Sequence, residues 1–346
     1  MKEQLEAYLK ERLGQSVYLK DFRRLGAGVH GTGFLLEVET KKGTVYYVLK
    51  DLAPEGLGHD YPSDRAAVFL LAYDEYGNLP SHIKAIDVIA KKEDGTLKSI
   101  SGGIEYLLLM EKAEGDSYFE DLERFAGMTS LQGIDRIRIE VLSDYLVRIH
   151  SIKKKSRNLY WRKIRDTIGH GECLMGVLDT YPDGTISYER MAAIEKKAID
   201  WRIKLKSKDY RLSQIHGDFH PGNIWFKNDS EFTLLDRSRG PWGEPSDDIT
   251  ALTINYIFFS IKHHGIVTGA YLEALNLFFE KYISKSGDSE MYSVLQPFYA
   301  FRGVVVANPL FYPELKTEQR EKIFRFIENI LDSETFDPSK INDYIS

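Results

Sequence analysis

Hydrophobic and polar positions along this chain follow two regimes. Leu5, Tyr8, Leu9 and Leu13 recur at helical spacing, and Val17 to Arg24 then alternates as a half-buried strand does. Phe34 to Val38 reads as a second strand and Thr44 to Lys50 as a third, with a hairpin turn at Lys41-Lys42-Gly43. The pattern next predicts a helix over Asp64 to Ala72 with Ser63 as its N-cap, then strands over Ile83 to Ala90 and Gly103 to Met110. Past that point the period becomes helical. Ile137, Val141, Tyr145 and Ile149 line one side of an amphipathic helix, and helices follow over Met191 to Leu205, Asn255 to Ile261, Ala270 to Ile283, Leu295 to Ala307 and Arg320 to Leu331. Between these helices lies one β signal. Ile224 to Phe226 and Phe232 to Leu235 are apolar, and the polar Lys227 to Glu231 between them reads as the turn of a hairpin. The fold class expected is therefore α+β. A small antiparallel-sheet lobe occupies residues 1–113, and a mostly α-helical lobe occupies residues 114–346.

Composition narrows the function classes. With 346 residues, 43% hydrophobic and 28% charged, the chain has core enough for two lobes. A formal net charge of −6 argues against a general nucleic-acid binder. No run approaches the ~18 apolar residues of a membrane span, and the opening Met-Lys-Glu-Gln-Leu-Glu lacks a signal-peptide pattern, so a cytoplasmic setting without membrane partners is expected. One cysteine, Cys173, excludes an internal disulfide framework and a cysteine zinc cluster. Oligomeric state is not legible.

The chemistry concentrates in Gln214 to Phe226, a run that includes His216-Gly217-Asp218-Phe219-His220-Pro221-Gly222-Asn223. Asp218 and Asn223 have the separation of base and metal ligand in a kinase catalytic loop. A hydroxyl that attacks a γ-phosphate must lose its proton, and a carboxylate aimed at it can orient it and accept that proton. The triphosphate requires a hard cation, Mg²⁺, for which an Asn carbonyl and a carboxylate are suitable oxygens. The hairpin carries Asp236 to the same edge as Asn223, and Gly217 and Gly222 permit the tight turn around Asp218. The plainer alternative is a turn-rich surface loop, which needs no such succession of roles.

His216-Gly217-Asp218-x-x-x-x-Asn223 with Asp236 downstream resembles the signature of the aminoglycoside phosphotransferase and choline kinase-like family of small-molecule kinases. The resemblance implies a two-lobed protein-kinase-like fold. It implies Asp218 as catalytic base, Asn223 and Asp236 as magnesium ligands, and ATP, with GTP not distinguished, as phosphate donor. It also implies that Asp248 bonds back to the catalytic loop and that His216 holds loop backbone without transferring protons. The chain departs from the family after the metal aspartate. An aromatic and an acidic residue are usual there, and here Asp236 is followed by Arg237-Ser238-Arg239.

Against that background the run Leu25 to Gly33 gains meaning. A glycine-rich loop alone is weak evidence. Here Gly26, Gly28, Gly31 and Gly33 lie between two strands, and a third strand ends in Lys50, so the loop reads as a cover over nucleotide phosphates with Lys50 pairing the α- and β-phosphates. Unlike a Walker motif, it does not open a helix. A solvated strand-end lysine is the competing reading. The family places an acid near the start of the following helix to pair with the lysine. Asp64 is nearest, Glu55 and Glu75 are alternatives, and Asp64 could equally complement the helix dipole. By order and resemblance, Glu111 and Ala113 stand at the hinge, where backbone groups would meet the adenine edge.

His150 reads as structural, Asp247 as an ordinary N-terminal helix acid, and the Lys153 to Arg157 basic cluster as a solvated face. Trp242, Tyr256, Phe259, Arg302 and Phe311 are candidates for an acceptor pocket, although core packing explains most such aromatics. Together these features predict ATP-dependent transfer of phosphate to a hydroxyl of a small molecule of aminoglycoside, sugar or amino-alcohol type. The alternatives are a catalytically silent nucleotide-binding scaffold, which Lys50, Asp218, Asn223 and Asp236 together disfavour, and a protein kinase. A protein kinase is disfavoured because no Ala-Pro-Glu segment follows Asp236.

Overall fold

The computed structural model describes residues 2–28, 31–54, 57–78 and 80–346, and the chain divides into two compact units, Met1–Met110 and Glu111–Ser346. The N-terminal unit opens with α1 (Lys2–Leu13) and a meander of β1 (Tyr18–Gly28), β2 (Gly31–Thr40) and β3 (Gly43–Lys50), antiparallel throughout in the order β1-β2-β3. Period-2 patterning puts Leu19, Leu36 and Val38 on one face, where they bury against Leu5, Tyr8 and Leu9 of α1 with Val17 and Leu97. Asp87 ties this core down by accepting from Tyr8, from Arg12 Nε at 2.9 Å and from the hydroxyl of Ser99 at 2.7 Å.

Two strand expectations are corrected here. Of Ile83 to Ala90, only the end is strand, as β4 (Ile89–Lys91) paired with β5 (Leu97–Ser99). Gly103 to Met110 forms no strand, and Leu107, Leu108 and Leu109 are exposed. Its apolar run favours extended backbone, but a strand also needs a ladder partner, which composition does not supply. Helix α2 (Pro62–Glu75) begins earlier than expected, because Pro62 at its first position presets helical φ and Tyr61, not Ser63, is the N-cap.

The C-terminal unit is mostly helical. Its helices are α3 (Tyr118–Phe125), α4 (Gly133–His150), α5 (Arg157–Gly169), α6 (Leu174–Leu178), α7 (Tyr188–Leu205), α8 (Ser246–His264), α9 (Gly269–Ser286), α10 (Gln296–Val306), α11 (Thr317–Asp332) and α12 (Ile341–Tyr344). Helix α8 is buried on every side from Ser246 to Ile261, so it forms the axis of the unit, with α3, α9, α10 and α11 against it. Gly265 in the left-handed conformation (φ 74°) ends α8.

Two small sheets position the site. Strand β6 (Asp116–Ser117) pairs with β8 (Ile224–Phe226), which pairs in turn with β9 (Phe232–Leu234). Strand β7 (Ser213–Gln214) pairs with β10 (Trp242–Gly243). The chain between β7 and β8 is the loop that carries Asp218. Among the described residues, no helix is long and apolar enough to cross a membrane.

Candidate active site

The loop is held from three sides. At its root, Ile215 N–H donates to Pro241 O at 3.0 Å, and the Arg237 guanidinium donates to Ile215 O from Nε and Nη2 at 3.1 and 2.8 Å. From the first turn of α8, the Asp248 carboxylate accepts the N–H groups of His216 and Gly217, each at 2.7 Å. His150 Nε2 stands 3.2 Å from Asp248 Oδ2, and its Nδ1 lies 2.9 Å from the Tyr282 hydroxyl. Burial alone would push the Asp248 carboxyl up. The hydrogen bond and charge of His150, with the bond from His216 N–H, outweigh it and hold the carboxyl below its usual range. His150 is thus a structural histidine. His216 acts on backbone too, since Asp218 N–H donates to its Nδ1 at 3.2 Å.

Gly217 has φ +90°, a conformation that disfavours any side chain, and it turns Asp218 away from the β7 direction. Asn223 Nδ2 donates back to Asp218 O at 3.0 Å, which fixes the amide orientation and leaves the Asn223 side-chain oxygen pointing elsewhere. Leu235 N–H donates to Asn223 O at 2.9 Å, extending the β8-β9 ladder, so the hairpin brings Asn223 and Asp236 to one edge. Asp236 is exposed and left-handed (φ 51°), an unusual conformation for a residue other than glycine. Such strain concentrates at ligand-handling positions. Two hard oxygens on one rigid ribbon fit a cation that takes its remaining ligands from phosphates and water. No group of three or more His, Cys, Asp and Glu suited to a metal occurs among the described residues.

Asp218 is buried with two arginines. Arg302 Nη1 on α10 donates to its Oδ1 at 2.5 Å, and Arg239 Nη2 stands 3.7 Å from its Oδ2. Burial would raise the carboxyl, but Arg302 first, then Arg239 and His220, outweigh it and bring it down to about 2. Arg302 Nη2 donates to Gly217 O at 3.1 Å and to Asp247 Oδ1 at 2.9 Å. Lys163 Nζ on α5 pairs with Asp247 Oδ2 at 2.5 Å. Asp247 is therefore a buried link between two cations, which corrects the expectation of a plain helix-terminal acid. Asp218, His220, Arg239 and Arg302 open onto a cavity of about 160 Å³ with apolar walls from α8 and α10, among them Ile254 and Val305.

Of the suggested pocket residues, only Arg302 lines this cavity. Tyr256 and Phe259 are core, and Tyr256 is bonded to the Tyr118 hydroxyl at 3.1 Å. Lys163 and Arg239's closeness to Asp218 had no counterpart in the sequence expectations. A signal for the arrangement existed in Arg302, a lone arginine inside the apolar run Phe298 to Val306, since such a charge stays buried only when paired.

In the N-terminal unit, Gly26 pairs with Gly33, Gly28 with Gly31, and Gly33 with Lys50. His30 lies outside the described residues. A Cβ on Gly31 would collide with Asp51 O, so the close approach of β2 to the chain after β3 requires glycine. Lys50 is exposed, and no ion pair joins it to a carboxylate among the described residues. Asp64 Oδ2 accepts Tyr61 N–H at 2.7 Å in a capping box, the helix-start role that the sequence also allowed it. Glu55 lies outside the described residues, and Glu75 accepts from Asn78 Nδ2 at 3.2 Å. Glu111 and Ala113 lie in irregular chain.

No family model matches the chain. Stress response kinase A of Escherichia coli (strain K12) is 30% identical over 109 residues, which is 30% of this chain and 32% of that protein, and its Shigella flexneri counterpart matches equally. The chain thus spans about a third of the length of the curated relatives it matches. Among solved structures, amicoumacin kinase hAmiN in complex with AMP-PNP, Ca²⁺ and Ami superposes with a TM-score of 0.42 at 14% identity, covering 98% of this chain and 99% of that one. A thermostable mutant of the aminoglycoside phosphotransferase APH(4)-Ia gives 0.39 at 15% identity, covering 92% and 98%. Macrolide 2'-phosphotransferase type I gives 0.34 at 15% identity, covering 97% of each chain. Over about a third of its sequence, this chain is similar to stress response kinase A.

Proposed function

We propose that the chain is an ATP-dependent phosphotransferase acting on a hydroxyl of a small molecule. The observation that carries this reading is the loop itself. A buried carboxylate, Asp218, sits on backbone pinned by Asp248, and its own carbonyl orients Asn223, whose oxygen shares a hairpin edge with Asp236. A nucleotide-binding scaffold without turnover would have no use for a desolvated aspartate beside a cavity.

In this reading Lys50 and the Gly26 to Gly33 hairpin are nucleotide-phosphate contacts, and Glu111 and Ala113 are backbone contacts for its base. Asn223 and Asp236 would hold Mg²⁺, which when bound neutralises phosphate charge. The acceptor oxygen forms a new bond to the γ-phosphorus as the bond to the β,γ-bridging oxygen breaks. ADP leaves with that electron pair, and the hydroxyl proton passes to Asp218. Oδ1 is committed to Arg302, so Oδ2 is the oxygen available to the acceptor. A carboxyl held at about 2 is a weak base. It suits a loose phosphoryl transition state in which the proton leaves late, so Asp218 chiefly orients the hydroxyl.

The test is Asp218→Asn, assayed for ADP release against a panel of small hydroxylated metabolites, with ATP–Mg²⁺ binding followed by thermal shift. Binding should persist and transfer should fall by at least about a hundredfold, within the range general-base catalysis supplies. Undiminished transfer by the variant would remove Asp218 from its role.

A further inference from the structure

Taking the phosphotransfer reading as given, we propose that the acceptor is a small hydroxylated compound bearing an anionic group, a carboxylate or a phosphate, which Arg239 receives. Arg237 and Arg239 are neighbours in sequence with opposite fates. Arg237 spends its guanidinium on Ile215 O and Pro241 O and is part of the scaffold. Arg239 makes no hydrogen bond among the described residues. Its Nη1 is buried without a partner, and its Nη2 approaches Asp218 only to 3.7 Å. The guanidinium packs over the Phe301 ring at 5.4 Å, which holds it in place without satisfying a donor. Buried donors without partners are rare in folded proteins and call for a ligand or another explanation.

Charge balance points the same way. Around the cavity, Asp218 and Asp247 are matched by Arg302 and Lys163, which leaves Arg239 as a surplus positive charge. A polycationic acceptor would meet that surplus with repulsion, whereas a carboxylate or phosphate matches the planar fork of an arginine in two parallel bonds. The cavity volume of about 160 Å³ is close to that which admits a benzene-sized guest, too little for a multi-ring aminoglycoside to enter whole. The apolar walls from Ile254, Val305 and Val306 fit a short carbon chain. Asn255 Nδ2 is tied to Ala251 O at 2.8 Å, which leaves its oxygen for a second hydroxyl.

The phosphate tail of the nucleotide is the other anion that Arg239 could receive, and the experiment separates the two. Wild type and Arg239→Gln are titrated with glycerate, glycerol 3-phosphate, glycerol and kanamycin, and separately with ATP–Mg²⁺, using thermal shift for binding and ADP release for turnover. The expected result is stabilisation by the two anionic probes and not by glycerol or kanamycin. That stabilisation should be lost in Arg239→Gln while ATP–Mg²⁺ binding stays unchanged, and the acceptor KM should rise at least tenfold with a smaller change in kcat. Absence of a shift with either anionic probe overturns the proposal. So does an Arg239→Gln variant whose only defect is in binding ATP–Mg²⁺. Anionic probes that bind through Arg239 without turnover of any acceptor leave the anion site standing and overturn the phosphotransfer reading instead.

Discussion

Arg302 Nη1 donates to Asp218 Oδ1 at 2.5 Å with both side chains buried, and the same guanidinium reaches Gly217 O and Asp247 Oδ1. One side chain on α10 therefore fixes the carboxylate, the backbone beside it and the start of α8. Removing one partner of a buried pair leaves the other charge uncompensated, at a cost of about 3–5 kcal/mol. Arg302→Met should lose stability on that scale in denaturant unfolding, and Arg302→Lys less. Arg302 is a positioning residue, so its effect should also appear in the pH profile. Asp218 is held down chiefly by this guanidinium, and without it burial pushes the carboxyl up. The acid limb of kcat should move to higher pH in Arg302→Met. A limb that stays in place would make Arg302 a stability element only.

Asp248 presents a separable case. It touches the loop only through the N–H groups of His216 and Gly217 and contributes nothing to the cavity lining. Asp248→Asn turns one acceptor oxygen into a donor facing an N–H, and so breaks a bond of the charge-assisted kind worth about 1.5–3 kcal/mol. Transfer should fall at least tenfold while ATP–Mg²⁺ binding by thermal shift is kept. Full activity in the variant would show that the loop holds its shape without this anchor.

What was legible in the sequence followed from local rules. The β8-β9 hairpin was readable because a polar turn separates two apolar runs, and its register alone brings Asn223 to the edge that Asp236 occupies. The three-stranded meander was readable for the same reason. The buried cluster around Asp218 was not, since its members Lys163, Asp247 and Arg302 come from α5, α8 and α10 and meet only through helix packing. Gly103 to Met110 failed as a strand because extended backbone needs a partner that lies elsewhere in the chain.

The hairpin edge yields a metal prediction. Asn223→Ala removes one hard oxygen and also frees Asp218 O from its 3.0 Å bond, whereas Asp236→Asn weakens a proposed ligand and leaves the loop bonds intact. Both variants should need more Mg²⁺, seen as a rise of at least about tenfold in the concentration giving half-maximal transfer, the cost typical of a lost metal-site group. Saturating Mg²⁺ should restore more activity to Asp236→Asn than to Asn223→Ala. If neither variant changes the Mg²⁺ dependence, the hairpin edge is not the metal site.

His220 gives the loop a pH dependence of its own. The ring is half-buried beside Asp218, Arg302, Arg239 and His216, and its Nδ1 accepts Gly222 N–H at 3.1 Å, so that nitrogen carries no proton. Burial first lowers its pKa, Asp218 opposes this, and the two arginines reinforce the drop. A histidine with a lowered folded-state value binds fewer protons folded than unfolded. Its contribution is therefore complete above the unfolded value of about 6.5 and is lost as pH falls below it toward the folded value. Stability should decline between pH 7 and pH 5, and His220→Asn, whose side-chain oxygen can still accept Gly222 N–H, should decline less steeply. Urea unfolding of both proteins at several pH values measures the two slopes. Equal slopes would mean that His220 titrates as it does in the unfolded chain, and the neutral-ring assignment beside Asp218 would have to be abandoned.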